Sequence, residues 1–238
     1  MNKILAFCGV RNTGKDTSAD MLMYLLSTPK ILHNYWIYTK LSKIKFNTSW
    51  LKVSFAGTMK KMLSILLNVP VEMFEDRDFK ENVFVDFNNL KLYRREDIKK
   101  SRIMSDSKFS RHVKELTVDL YSYVLSIRQL LQYWGTEINR RYLGDSLWCL
   151  STLKAAETSD LIISDLRFKT EADFVNKLGG KVIYIDRPGC VASNHISEKE
   201  AVQLKNEGRC DYTIHNDGTL EDLFYKCKDL LAEIKNYV

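Results

Sequence analysis

Two periods of apolar residues alternate along this chain. The run Ile4, Leu5, Ala6, Phe7 and Cys8 makes residues 3–8 read as a buried strand. Ala19, Leu22, Met23, Leu25 and Leu26 then share one face of a helix predicted over 15–27. Leu51, Val53 and Phe55 alternate as a second strand. Thr58 is placed to cap a helix carrying Met59, Met62, Leu63, Leu66 and Leu67, stopped near Asn68 and Pro70. Ser126-Ile127-Arg128-Gln129 has capping-box spacing and opens a helix expected to end at Gly135. A further helix is predicted over 145–157. Leu161, Ile162, Ile163 and Ser164 form a buried strand ending at Asp165. Thr170 to Asp173 opens another helix, closed by Gly179 and Gly180. Residues 181–185 are the next strand, Ser197 with Glu200 caps a short helix, and residues 212–215 are a last short strand. Thr219 with Asp222 caps a C-terminal helix running through Leu220, Leu223, Phe224, Cys227, Leu230, Leu231 and Ile234.

Strands that alternate with helices predict an α/β fold of three layers, with a central parallel sheet of about five strands and helices on both faces. In such sheets ligands bind beyond the carboxyl ends of the strands. The segments after Cys8, at Gly57-Thr58, at Asp165 and at Arg187 all fall at that edge. Two stretches break the alternation. Residues 28–50, rich in Lys, Tyr and Trp, read as an insertion. Residues 76–125 are charged, then weakly helical, and read as a lid or substrate-binding region. The whole chain is taken as one domain, 1–238, with these two inserts.

Composition narrows the class. The chain has 238 residues and 45% hydrophobic residues, ample for a packed core. No stretch approaches a membrane span, and the first apolar run is too short for a signal peptide. The five cysteines are scattered without a C-x-x-C pair, which fits a reducing cytoplasm. The net charge of +6 comes largely from 30–52 and 94–114. It reads as solvated surface or a phosphate-facing cover. No nucleic-acid-binding module, zinc spacing, heptad or repeat accompanies it. No nucleic-acid or membrane partner is therefore expected, and a homodimer is left open.

The chemistry concentrates at Gly9-Val10-Arg11-Asn12-Thr13-Gly14-Lys15-Asp16-Thr17, between the first strand and helix. This nearly matches the phosphate-loop pattern G-x-x-x-x-G-K-[ST]. Glycines let backbone N–H groups turn inward toward an anion, and the new helix adds its positive end. Lys15 supplies a charge for the β- and γ-phosphates. Asp16 stands where a magnesium-binding hydroxyl is usual, and the hydroxyl follows at Thr17. Asp16 and Thr17 are candidates for Mg²⁺, with a helix-capping role the alternative for Asp16. The loop predicts a bound nucleoside triphosphate.

Phosphoryl transfer needs aligned reactants and positive charge around the moving group. Arg11 in the loop is a candidate for that charge, against an exposed loop Arg. Asp165, at the end of an apolar strand, is a candidate to orient Mg²⁺, against a polar strand-end residue. Arg167 projects from the same loop. Arg128 and Lys60 each place a cation in a first helical turn, where the dipole disfavours it, which suggests an anionic partner. His195 reads as structural, and Trp134 and Trp148 as core or pocket wall.

These residues together resemble the deoxynucleoside monophosphate kinases of tailed phages, a nucleoside monophosphate kinase-like P-loop family. The Gly-Lys-Asp-Thr loop is that family's form. Residues 54–60 resemble its acceptor-site turn and helix, and 127–137 its R-x-L-x-Q-x-x-G-T-[DE] segment, followed by Trp148. Asp165-Leu166-Arg167 with Glu171 resembles its D-x-R…E segment. Residues 187–189 and 214–220 resemble its C-terminal third. The match is weak across 76–125.

The resemblance implies ATP with Mg²⁺ and transfer of the γ-phosphoryl group to a deoxynucleoside monophosphate. By position it places Arg11, Lys15, Lys60, Arg128, Gly135, Thr136, Trp148, Asp165, Arg167 and Glu171 at the site, beside loop residues Asn12, Thr13, Gly14, Asp16 and Thr17. For the basic acceptor residue of the middle region, Arg94 is the candidate and Lys80 its rival. The alternatives are a P-loop kinase of another phosphorylated acceptor, of the phosphomevalonate or dephospho-coenzyme A type, and a non-kinase nucleotide-binding protein.

Overall fold

The computed structural model of the chain describes residues 2–87, 89–100, 124–154 and 158–238. These divide into two compact units, 1–57 with 146–238, and 58–145.

The first unit is built on five parallel strands: β1 (Ile4–Cys8), β2 (Trp50–Val53), β6 (Asp160–Leu166), β7 (Lys181–Asp186) and β8 (Tyr212–His215). Their order is β2-β6-β1-β7-β8. All five coincide with the strands expected from the apolar runs. The central strands are apolar throughout because helices cover both faces. On one face Leu5 and Phe7 meet α1 (Lys15–Ser27) and α11 (Leu220–Glu233), through Leu22, Leu25, Leu223 and Phe224. On the other, α9 (Lys169–Lys177) lies near Ile4, where a side chain on Gly180 would meet Ile4 and Val175. There the Cys8 thiol faces the Ala201 carbonyl of α10 (Ile196–Asn206). Leu5 and Phe7 are fully buried, and each contributes on the order of 1.5–3 kcal/mol.

Several local signals are satisfied as expected. Thr219 accepts from Asp222 N–H at 3.2 Å while the Asp222 carboxylate accepts from Thr219 N–H at 2.7 Å. Gly179, at φ 76°, ends α9, and Gly180 N–H bonds back to Val175 at 2.9 Å. Others differ. The helix after β2, α3 (Gly57–Leu67), begins one residue before the expected Thr58 cap. The cap of α10 is His195, whose Nδ1 accepts from Ser197 N–H at 3.2 Å. The expected partner Glu200 instead accepts the Lys169 N–H at 2.9 Å. α8 covers Leu147–Lys154, and 155–157 of its expected span lie outside the described residues.

The 28–50 segment forms a helix, α2 (Tyr35–Leu41), capped by Asn34. It is docked by aromatic contacts rather than solvated throughout. Tyr38 stacks 5.2 Å from both Tyr24 and Phe224.

The second unit departs most from the sequence reading. In place of weak helix, the described part of 76–125 holds α4 (Arg77–Asn82), β3 (Val83–Asp86), β4 (Lys91–Arg94), α5 (Arg95–Lys100) and β5 (Val124–Ser126). The three strands form an antiparallel sheet of order β4-β3-β5. Residues 101–123, part of the expected lid, lie outside the described residues. β5 leads directly into α6 (Ile127–Gln132) through the capping box of Ser126 and Gln129. The helix does not stop at Gly135. It widens into a π-helical turn, Tyr133–Ile138, and continues as α7 (Asn139–Leu143). Within the widened turn Gly135 packs closely on Met59, whose Sδ would lie 2.9 Å from an added Cβ.

Candidate active site

The loop between β1 and α1 closes around two strained backbone positions. Gly9 has φ 143°, and a Cβ on it would lie 2.7 Å from the Ile185 carbonyl oxygen. Gly14 has φ 99° and serves as the N-cap of α1, yet no side chain caps that helix. The first amides of α1 are thus left for an anion, in contrast to the side-chain-capped starts of α2, α4, α6 and α11. Asn12, exposed at φ 66°, completes the turn. Thr13 is buried and donates to the Val10 carbonyl at 3.0 Å.

Lys15 folds back into this loop. Its ammonium donates to the Val10 carbonyl at 2.5 Å, and the residue is only 6% exposed. Burial, helped by the charge of Arg167 and opposed by Glu198 and Asp16, pushes its pKa down to about 8. A phosphate placed beside it would favour the charged form. Asp16 is exposed in the first turn of α1, with Thr17 beside it.

At the end of β6 the Asp165 carboxylate accepts the N–H groups of Phe55 (2.7 Å) and Ala56 (3.1 Å). It therefore fixes the turn between β2 and α3. Two residues on, Arg167 and Phe168 donate their N–H groups to the buried Glu171, at 2.8 and 3.0 Å. Glu171 thus organises the β6–α9 turn. The Arg167 side chain reaches Glu198, on α10, and Glu198 also accepts the Arg11 N–H at 2.9 Å. Arg187, after β7, donates to the Asn12 carbonyl at 3.5 Å. The first unit thus gathers Arg11, Lys15, Asp165, Arg167 and Glu171 at the carboxyl edge of its sheet. Trp148 is a buried residue of α8.

The expected acceptor residues belong to the second unit. Lys60, in the first turn of α3, pairs with Glu75 at 2.8 Å. Arg128, in the first turn of α6, pairs through Nε with Glu81 of α4 at 2.6 Å. Arg94 pairs with Asp78, both exposed. Lys80, its rival, also lies on α4. Gly135 and Thr136 sit in the π-helical turn, with Gly135 against Met59, the neighbour of Lys60.

Sequence reasoning missed Glu198 and Asn216. Both are buried, and both grip the phosphate loop from far along the chain. The only available signal for Glu198 was an acid in a helix's first turn, which is ordinary. For Asn216 it was the Asn-Asp-Gly-Thr stretch, which reads as a turn.

A parallel sheet whose first strand sits at its centre, followed by a glycine-bounded loop and a buried lysine, defines a phosphate-loop nucleotide-binding protein. Residues 3–227 match the family described as deoxynucleotide monophosphate kinase, and the chain belongs to that family. It is similar to a putative deoxynucleotide monophosphate kinase of Acanthamoeba polyphaga mimivirus, 34% identical over 41% of this chain and 56% of that protein. It is also similar to the deoxynucleotide monophosphate kinase of Enterobacteria phage T4, at 25% identity over 96% of this chain and 98% of that one. A dephospho-CoA kinase from Campylobacter jejuni superposes with a TM-score of 0.36 at 12% identity, covering 99% of this chain and 98% of the other.

Proposed function

We propose that this kinase transfers the γ-phosphoryl group of ATP to a deoxynucleoside monophosphate, giving the diphosphate. The observation that carries the reading is the phosphate loop itself. It presents uncapped helix amides and a desolvated lysine, in a chain that matches the kinase family over nearly its full length. Lys15, Arg11 and Arg167 surround the transferring phosphate. Lys60 and Arg128 are assigned to the acceptor's phosphate, and Gly135, Thr136 and Trp148 to acceptor binding. Residues 76–125 are assigned to acceptor binding, with Arg94 their candidate cation. In this reading it acts in the cytoplasm, where free cysteines such as Cys8 and Cys227 stay reduced.

Oxygen donors at Asp16 and Thr17 are the hard ligands that Mg²⁺ prefers. Among the described residues no group of three or more His, Cys, Asp or Glu could hold a metal. Mg²⁺ at nucleotide sites commonly rests mainly on phosphates and water. Asp16 or Thr17 would supply one protein contact. Asp165, whose two oxygens already accept backbone N–H groups, would act through water. The bound ion supplies charge neutralisation between the phosphates. Lys15 holds the β- and γ-oxygens, and Arg167 steadies the charge on the moving group.

The test is a coupled assay of ATP consumption across all ribo- and deoxynucleoside monophosphates. Turnover confined to deoxynucleoside monophosphates supports the reading. Turnover only with a different phosphorylated acceptor, or none with any nucleotide, would sink it.

A further inference from the structure

Glu198 stands apart from every residue the motif reading singled out. It lies in the first turn of α10, where the helix dipole favours a carboxylate. It is 3% exposed, and a carboxylate so buried persists only with strong partners. It has two. One oxygen accepts the Arg11 N–H, a backbone donor of the phosphate loop, at 2.9 Å. The other accepts from Nη1 of Arg167, on the loop after β6. Two residues on, Glu200 accepts the Lys169 N–H at 2.9 Å, so α10 is clamped to that loop twice.

This arrangement ties two separate active-site loops to one rigid helix. The Arg11 N–H points toward α10, which fixes the flank of the phosphate loop while its other amides remain for the nucleotide. A guanidinium carries five N–H donors in a planar fork. Holding one of them on a buried carboxylate fixes the plane of the fork and leaves the remaining donors for a phosphate. Without that anchor, Arg167 regains the rotamer freedom that a long side chain loses on binding.

We propose that Glu198 is a positioning residue for phosphoryl transfer, orienting Arg167 and the Arg11 segment of the phosphate loop toward the nucleotide's phosphates. The proposal rests on the phosphate-loop reading of the site but not on the identity of the acceptor.

The experiment is a double-mutant cycle on the full chain, read by equilibrium ATP binding without acceptor and by thermal unfolding. Glu198→Gln keeps an oxygen for the Arg11 N–H but loses the charge that holds Arg167. It is expected to weaken ATP binding roughly ten- to a hundredfold. In an Arg167→Met background the same change should cost less than about threefold, because the group it positions is gone. Glu198→Asp keeps the charge on a shorter arm and should fall between wild type and Glu198→Gln. Equal losses of affinity in both backgrounds would show a general structural role and overturn the proposal. So would unchanged ATP affinity in Glu198→Gln. Tighter binding would mean that the carboxylate competes with the nucleotide for Arg167, and would overturn it too. Should Glu198→Gln fail to fold, full affinity in Glu198→Asp would still refute it, and a partial loss rescued by no further loss in the Arg167→Met background would uphold it. Wild-type ATP binding without turnover of any deoxynucleoside monophosphate would refute the functional reading while leaving this test readable.

Discussion

The side chain of Asn216 donates to the carbonyl of Thr13 at 2.8 Å, joining the end of the last strand to the middle of the phosphate loop across 203 residues of chain. Asn216 is buried, and a Cβ on Gly14 would lie 2.7 Å from its Nδ2. The bond therefore holds the peptide just before the helix start that receives the phosphates. Asn216→Ala leaves the Thr13 carbonyl unmatched and is expected to cost about 1–3 kcal/mol of stability. It should raise the Michaelis constant for ATP more than that for the acceptor. Thermal unfolding and two-substrate kinetics check both.

Lys15→Met should remove most turnover. Losing one charge contact in the transition state typically costs about 3–4 kcal/mol, or a few hundredfold in rate. The same change replaces a desolvated ammonium by an apolar side chain of similar size. The ligand-free variant should therefore unfold at a temperature no lower than wild type. A calorimetric scan beside the kinetic assay tests the pair of effects. Near-normal turnover in the folded variant would refute the phosphate-loop reading.

The depressed pKa of Lys15, about 8 against its ordinary 10.5, gives a pH prediction. Between these values the unfolded chain binds a proton that the folded chain has released. This lysine's contribution to stability therefore rises with pH through that window, and is least favourable below about pH 8. A polyphosphate beside Lys15 favours its charged form. ATP binding at about pH 8.5 should then take up protons. Calorimetry in two buffers of different ionisation enthalpy measures that uptake, which should vanish in Lys15→Met.

Asp165→Asn keeps one acceptor for the 55–56 turn but sets an NH₂ group against a backbone N–H. A loss of about 1–3 kcal/mol in stability is expected. If Asp165 also orients Mg²⁺, the Mg²⁺ dependence of turnover should shift in the same variant. An unchanged titration curve would confine Asp165 to the turn.

Arg128 tests the acceptor side. Arg128→Ala should raise the Michaelis constant for the deoxynucleoside monophosphate far more than that for ATP. Arg128→Lys should recover only part of the loss, since an ammonium lacks the fork that grips a phosphate through two bonds. Glu81, which now pairs with Arg128 Nε at 2.6 Å, would be left facing the substituted side chain in the alanine variant. Kinetics with each substrate varied in turn decide it. A selective effect on ATP would move Arg128 to the donor side.

Where chain neighbours settle a structure, the sequence was sufficient. The run from Ile4 to Cys8 could only be buried. The glycines around Lys15 could only make an anion-binding turn before a helix. Ser126 with Gln129, and Thr219 with Asp222, could mark helix starts from their spacing. The five strands, their parallel sense and the phosphate loop follow from such local rules, while the family follows from the resemblance of several segments and the order of the strands from the fold.

Tertiary structure decided the rest, because the deciding partner was remote. Gly135 reads as a helix stop, but the helix runs through it as a widened turn in which it packs on Met59. The polar stretch after residue 76 looked helical, yet Phe84 and Val85 find their pairs in β4 and β5, the latter about forty residues on. Strand pairing depends on such partners more than helix formation does. From sequence Asp165 is a strand-end candidate to orient Mg²⁺, and only the fold shows that its carboxylate also accepts the N–H groups of Phe55 and Ala56, in the turn after β2. Glu198 belongs to no motif, and Asn216 lies in the 214–220 stretch without a role of its own there. Their importance lies in 2.8–2.9 Å hydrogen bonds to backbone atoms of the phosphate loop. A backbone N–H or carbonyl has the same chemistry at every residue, so no sequence pattern marks which side chain will reach it.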